Sequence, residues 1–210
     1  DARAAINAVE LAASLSKNVT VKIMEAALQK KSLYYDKQGD THFDTISAFI
    51  KSMRGGEPDA ALHYLARMIK AGEDPVFIAR RMVIFASEDI GNARPNALVL
   101  AVSCMEAVKM IGMPESQLIL AQTATYLATC PKSIASTEGI FAALKDLDDM
   151  KLDPIPLHLR NPVTKYMKEI GYGKGHIRYP WQTEKMGKKP SRQQYLPDNI
   201  KDRKYYNPDW

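Results

Sequence analysis

Cysteine is scarce in this sequence, and long apolar runs are missing. The two cysteines, Cys104 and Cys130, form no Cys-x-x-Cys pair, and isolated cysteines of this kind are typical of buried thiols in a reducing compartment. The longest apolar stretches, at residues 83–86 and 97–102, are too short to span a bilayer. We therefore expect a cytoplasmic protein without a membrane partner.

A phosphate-binding loop is missing as well. No Gly-x-x-x-x-Gly-Lys-Ser/Thr sequence occurs, and the glycine-rich segment 171–176 has the wrong spacing, so we interpret it as a flexible turn. The four histidines lack metal-ligand spacing, and no metal site is predicted. Neighbouring Glu88 and Asp89 point in different directions on a helix. We expect them to form a solvated or interface-pairing helix end, and we predict no catalytic residue.

The first residues, Asp1 to Asn7, open within an alanine-rich helical pattern, with neither an initiator Met nor a secretion signal. We therefore expect the chain to be the back part of a longer protein.

Charge is distributed unevenly along the chain. Residues 171–210 carry nine basic and four acidic side chains, which accounts for the entire net charge of +5. The same segment holds both tryptophans and five of the ten tyrosines. Such an asymmetry indicates nucleic acid or another anionic partner.

Two interpretations of this tail remain open. Its basic side chains could follow a DNA backbone while Trp181, Tyr205 and Tyr206 stack on bases. Alternatively, the aromatic residues anchor the tail on the helical body or on a neighbouring subunit, and the lysines stay in water. The candidate DNA-binding residues are Lys185, Lys188, Lys189, Arg192, Lys201, Arg203 and Lys204.

The rest of the chain predicts helix after helix and no strand. Pro58 and the pair Asp74-Pro75 are typical helix starts, whereas Gly72 and Gly91 are typical ends. A last body helix is predicted from about Ser136, with Asp146, Asp148 and Asp149 on a solvated face. Beyond Leu152, prolines interrupt the pattern. The fold class is therefore all-α, a bundle of packed α-hairpins with an irregular, basic and aromatic C-terminal arm.

Some apolar stripes exceed what a thin bundle can bury. We expect symmetric self-association to cover them. The stripes comprise Val76, Ala79, Val83 and Ala86, and Leu98, Val102 and Met105.

Several motifs in one order resemble a known family. They are the segments at residues 35–49, 79–81, 85–92 and 156–160, with Lys168–Gly173 and Tyr195–Asp198 in the tail. Together they resemble the carboxy-terminal half of the RarA/MgsA proteins, replication-associated AAA+ ATPases whose eukaryotic relatives are the Werner-helicase-interacting proteins. The resemblance covers essentially the whole chain.

The resemblance implies a division of the chain and a set of partners. Residues 1–30 would be the last part of the AAA+ lid, 31–43 a linker, 44–152 a helical oligomerisation domain, and 153–210 a proline-punctuated arm packing on it. Arg3 would be the sensor arginine that contacts the nucleotide's terminal phosphate. A guanidinium suits that role because its donors fork onto phosphate oxygens.

The whole protein would be a nucleoid-associated, DNA-dependent ATPase that acts at stalled or gapped replication forks. It would use ATP and Mg²⁺, form a tetramer, and have DNA and single-stranded-DNA-binding protein as partners. The alternatives from other classes are a non-enzymatic helical adaptor and, with little support, a small hydrolase using Glu88 and Asp89.

We predict that this chain alone has no ATPase activity, because Arg3 without a phosphate cradle and a magnesium site cannot promote hydrolysis. A phosphate-release assay on the purified chain checks this, and magnesium-dependent turnover above the buffer blank would contradict it.

Overall fold

The computed structural model describes residues 40–185 and 193–208, together with Val9, Ala12, Ala13 and residues 18–24. These residues contain helices and connecting turns and no strand, which confirms the all-α prediction. None of the described helices is long and apolar enough to cross a membrane. The α-helices are α1 (Asp40–Gly55), α2 (Pro58–Lys70), α3 (Pro75–Phe85), α4 (Asn96–Ile111), α5 (Ser116–Thr129), α6 (Ala135–Asp149), α7 (Lys165–Glu169) and α8 (Pro180–Lys185).

Local sequence signals set the helix starts. Pro58 is the first residue of α2, as predicted. Asp74 caps α3 by accepting a hydrogen bond from the Val76 amide at 3.0 Å, and Pro75 follows at the position where its missing N–H costs nothing. Thr20 accepts a hydrogen bond from the Ile23 amide at 3.4 Å, ahead of the helical residues 21–24. The two helix starts predicted at Pro58 and at Asp74-Pro75 are confirmed.

α3 does not run unchanged to Gly91. It continues as a π-helical turn, Ala86–Ile90, and then as a 3₁₀ turn, Gly91–Ala93. The Gly91 φ angle of 50° lies in the left-handed region, and a Cβ there would meet the Ser133 carbonyl oxygen at 3.0 Å. Glycine is therefore required at this junction, and the π turn re-aims the side chains that precede it.

The central element of the first part of the chain is α5. It contacts α1, α2, α3 and α4. Its side chains are therefore buried on several sides, and the largest of them, Leu120 and Leu127, are fully buried. The surrounding helices complete the core with apolar residues that include Phe49, Met53, Leu65, Met68, Ile78, Met82, Ala101, Cys104 and Val108.

The hydroxyl groups of α5 turn back onto its own backbone or onto the turn before it. Thr123 Oγ1 donates to the Ile119 carbonyl at 2.9 Å, and Ser116 Oγ donates to the Gly112 carbonyl at 2.6 Å. Both residues are buried. Because a buried hydroxyl without a partner is costly, these bonds let a helix with polar side chains occupy the centre.

The chain divides into two compact units. The first comprises residues 1–134 with Trp210, and the second comprises residues 135–209. The second unit contains α6, α7 and α8 and two 3₁₀ turns, Leu157–Leu159 and Asp198–Ile200. The sequence placed residues 135–152 with the helical body, whereas the structure groups α6 with the tail.

We expect Leu120→Ala to lower the free energy of unfolding by about 2–5 kcal/mol, because it opens a cavity in the centre of the core. Urea denaturation followed by circular dichroism measures the change. Leu118→Ala is the matched control, since this side chain lies on the same helix but is 68% exposed, and its effect should be small. Equal losses from the two variants would contradict the central position of α5.

Candidate functional site

The structure describes the side chains of only some of the predicted site residues. Arg3, the predicted sensor arginine, lies outside the described residues, so its role stays a prediction. The same holds for Lys188, Lys189 and Arg192 of the tail. Lys185 is the last residue of α8. The tail lysines Lys201 and Lys204 are exposed.

Arg203 lies in an ion pair rather than in open water. Its Nε is 3.0 Å from Asp146 Oδ2, and its Nη2 donates to Asp146 Oδ1 at 3.1 Å. Tyr205 donates its hydroxyl proton to Asp146 Oδ2 at 2.8 Å, and this hydrogen bond is the largest factor that raises the pKa of Tyr205. The predicted solvated face of α6 is therefore wrong at Asp146, whose side chain is 13% exposed.

The end of the tail is fastened to its own unit at further points. Asn199 donates its backbone amide to Asp153 and its side-chain amide to the Lys151 carbonyl, at 3.1 and 3.0 Å, and Ile200 is buried beside it. A Cβ on Gly139 would meet the Tyr205 carbonyl oxygen at 3.0 Å, so the chain lies directly on α6 there. Of the two interpretations of the tail, anchoring applies to residues 199–205, which are bonded to other parts of their own unit. DNA contacts by Lys201 and Lys204 stay a prediction.

A second basic region, which the sequence analysis did not identify, lies elsewhere in the same unit. A cleft of about 570 Å³ is lined by residues from the 3₁₀ turn at Leu157–Leu159, from α7 and from the glycine-rich turn after it. We call it the basic cleft, because no acidic side chain lines it among the described residues. Its titratable lining residues are His158, Arg160, Lys168, Tyr172, Lys174 and His176.

Arg160 is held in place at one wall of the basic cleft. Its Nε donates to the Ile155 carbonyl at 2.6 Å and its Nη1 donates to the Tyr172 hydroxyl at 3.2 Å. The guanidinium carbon lies 5.3 Å from the centre of the Tyr172 ring, a cation–π distance. The guanidinium is therefore oriented before any ligand arrives.

The glycine-rich turn also lines the basic cleft. Gly173 has a φ angle of 73° and donates its amide to the Leu157 carbonyl at 3.0 Å. A Cβ at Gly173 would lie 3.3 Å from Pro162 Cδ, so only glycine lets the turn approach the segment 157–162 this closely. The predicted flexible turn is in fact hydrogen-bonded to another segment. The repeated glycines at 171, 173 and 175 were the feature of the sequence that could have predicted this close contact.

The pair Glu88 and Asp89 is not a catalytic dyad. Asp89 lies in the π turn, is 4% exposed, and receives both Nε and Nη2 of Arg54 at 2.5 and 3.1 Å. Hydrogen bonding to Asp89 is the largest cause of the raised pKa of Arg54. Glu88 is exposed. Of the two expectations for this helix end, solvated or interface-pairing, the solvated one is wrong for Asp89, because Asp89 is buried and pairs α1 with the π turn after α3.

Neighbouring polar groups also have structural roles. Lys132 Nζ donates to the Ala128 and Cys130 carbonyls at 2.9 and 2.5 Å, which caps the end of α5, and burial lowers its pKa. Cys104 and Cys130 are buried and free, as predicted. Burial raises the pKa of the Cys104 thiol, which disfavours the reactive thiolate. The part of the chain that the structure describes has no His, Cys, Asp and Glu cluster suited to a metal.

The two predicted apolar stripes have different positions. In the stripe on α3, Ala79 and Ala86 are buried, while Val76 and Val83 pack against the core. The prediction of a free face is wrong there, because periodicity shows that one side of a helix is apolar but not which surface covers it. Met105 of the second stripe also packs against the core.

Among the residues that the structure describes, each unit has an exposed apolar face on one of its helices. The α4 face consists of Leu98, Val99 and Val102, which are 40%, 65% and 40% exposed. The α6 face repeats at helical spacing in the second unit. It consists of Ile140, Phe141, Leu144 and Leu147, with exposures of 56%, 63%, 47% and 59%.

Comparisons with known proteins match the whole chain. Residues 55–210 match the family described as MgsA AAA+ ATPase C terminal, and residues 1–54 match the family described as AAA C-terminal domain. The junction of the two matches falls at the end of α1, whereas the sequence analysis placed the lid at 1–30 and a linker at 31–43. Those domain boundaries stay predictions.

Individual relatives align over nearly all of the chain. It is 46% identical to an uncharacterized AAA domain-containing protein of Mycobacterium tuberculosis. It is 40% and 37% identical to the proteins named Replication-associated recombination protein A in Bacillus subtilis and Escherichia coli K12. Each alignment covers 99% of this chain but 46%, 50% and 47% of the three relatives. The chain therefore spans about half the length of these relatives.

We expect Asp146→Ala to release the tail from α6, because Arg203 and Tyr205 lose their shared acceptor. Tryptic cleavage at Lys201, Arg203 and Lys204, timed by mass spectrometry, should accelerate about fivefold or more, since local opening controls proteolysis. Asp148→Ala is the matched control, an exposed carboxylate on the same helix. Identical cleavage rates for the two variants would contradict the anchor.

Proposed function

This chain belongs to the family of MgsA AAA+ ATPase C-terminal regions, and we propose that it is the oligomerisation and DNA- or partner-handling region of a replication-associated AAA+ ATPase. It is the C-terminal region of a RarA/MgsA-like ATPase, and its relatives carry names that refer to replication-associated recombination. The family resemblance seen in the sequence is thereby confirmed.

The observation that carries the proposal is the pair of exposed apolar faces. Soluble monomers rarely leave several large apolar side chains side by side on the surface, and such patches mark interaction sites. Phe141 and Leu144 on α6, and Val99 on α4, are each about half exposed or more. A second copy of the chain would remove these side chains from water.

The two faces together suit a homotetramer. A tetramer with dihedral symmetry is built from two different self-complementary contacts, each relating one pair of subunits by a two-fold axis. One face would form the first contact and the other would form the second. A chain with a single apolar face would instead be expected to form a dimer.

The nucleotide chemistry belongs, in this proposal, to the part of the protein that precedes the chain. ATP and Mg²⁺ would be held there, and Arg3 would report the state of the terminal phosphate. The protein would act on DNA at stalled or gapped forks in the nucleoid-containing cytoplasm, with single-stranded-DNA-binding protein as a partner. Support for these points comes from family membership and from the basic composition of residues 171–210.

A helical adaptor without an attached motor remains the second candidate. The observation that favours it is a groove of about 760 Å³ between α4 and α5, lined by Val99, Leu100, Tyr126 and several hydroxyl and amide side chains. Such a groove could receive a segment of another protein. An adaptor would use the α4 face for that partner and would be monomeric when alone.

We expect the purified chain to be a tetramer by multi-angle light scattering at about 10 μM. Val99→Glu/Val102→Glu and Phe141→Glu/Leu144→Glu should each leave dimers, because a buried unpaired carboxylate is strongly disfavoured. The combination of all four substitutions should leave monomers.

Lys145→Glu is the control for added negative charge, since Lys145 is an exposed polar residue on α6 outside the apolar face. It should remain tetrameric. A strictly monomeric wild-type chain would overturn the assembly proposal and favour the adaptor. Face variants that remain tetrameric would assign the contact to another surface.

A further inference from the structure

The basic side chains that line the basic cleft indicate an anionic ligand. Its lining includes three basic side chains, Arg160, Lys168 and Lys174. Hydrogen bonds fix Nε and Nη1 of Arg160. An oriented guanidinium with lysines beside it is suited to phosphate oxygens.

Five of the six backbone amides of the glycine-rich turn at residues 171–176 are already bonded within the chain. Tyr172 and Gly173 donate their amides to the Met167 and Leu157 carbonyls, both at 3.0 Å. The neighbouring amides of Gly171, Lys174 and His176 are also bonded within the chain. A nucleotide-binding loop instead directs several free amides at the phosphates. The ligand is therefore held by side chains, a mode that suits the spaced single charges of a polynucleotide backbone.

An exposed aromatic pair follows the cleft closely along the chain. Tyr179 and Trp181 have ring centres 5.1 Å apart in an edge-to-face arrangement and are 41% and 56% exposed. Arg178 lies over the Tyr179 ring at 5.3 Å. Trp181 lies five positions after His176, so their Cα atoms lie within about 18 Å of each other. Unpaired bases adjoining a bound phosphate could stack on these rings.

We propose that the basic cleft binds a backbone phosphate of single-stranded nucleic acid and that Tyr179 and Trp181 stack on its bases. This inference rests on the proposed DNA-handling role and gives that role a location. The location differs from the seven tail residues that the sequence indicated. In a duplex the bases are stacked on one another, so the aromatic pair gives the site a preference for single strands.

The test uses the full 210-residue chain and fluorescence anisotropy with a labelled single-stranded oligothymidylate over a salt series. Lys168→Ala/Lys174→Ala should weaken binding about tenfold at low salt. It should also reduce the magnitude of the salt slope by about 0.7 for each phosphate contact that is lost with the two lysines. Trp181→Ala should weaken binding about fivefold or more and leave the slope unchanged, because stacking releases no counterions.

Lys51→Ala/Lys70→Ala is the matched control, since it removes two exposed lysines from α1 and α2. It should change affinity less than about twofold. Circular dichroism and light scattering on every variant establish that fold and assembly are intact. Equal binding by the cleft variant and the control variant would overturn the proposal.

Two competitors separate the possible sources of the phosphate. ATP and inorganic phosphate, each added up to millimolar concentration, should displace the oligothymidylate no better than their ionic strength explains. Displacement by micromolar ATP would overturn the strand assignment in favour of a nucleotide site. If the wild-type chain binds no oligothymidylate at any salt concentration, this inference and the DNA role fail together, while the light-scattering result still decides the assembly.

Discussion

The burial of α5 on several sides is the constraint on which the first unit depends. A helix contacted by α1, α2, α3 and α4 must combine large apolar side chains such as Leu120 with small or internally hydrogen-bonded ones, because closely packed helices leave no room for an unpaired hydroxyl. Thr123 and Ser116 meet this condition by bonding to carbonyls of their own helix or of the turn before it. Ala124 and Ala128 meet it by being small.

A filled centre has a consequence for the outside of the unit. Among the described residues of the first unit, α4 buries Ala97, Ala101, Cys104 and Val108 and leaves other side chains exposed. The exposed side chains include Leu98, Val99 and Val102, although polar residues would serve a monomer better. This apolar surface is explained if identical chains, or a partner, cover it.

Predictions from the sequence were most accurate where the interacting groups lie close together along the chain. The capping of α3 by Asp74 involves an amide two residues away, and such signals can be read without a fold. They were least accurate where the partner is distant in sequence. Asp89 and Asp146 are both acidic residues on helices, yet their basic partners lie 35 and 57 residues away. Nothing in the neighbouring residues distinguishes these carboxylates from solvated ones. For the same reason, the sequence did not show that distant residues cover the apolar stripe on α3, and the stripe was wrongly predicted to be free.

The tail shows how charge and function can be separated within one segment. Counting charges correctly indicated that residues 171–210 are basic, but a count does not say which cations are already paired. Arg203 is paired with Asp146, whereas Lys168 and Lys174 line a cleft without acidic residues. That cleft exists because Gly173 lets its turn bond to Leu157, 16 positions earlier along the chain. The basic cleft therefore depends on a close contact made by a glycine rather than on the density of lysine in the tail.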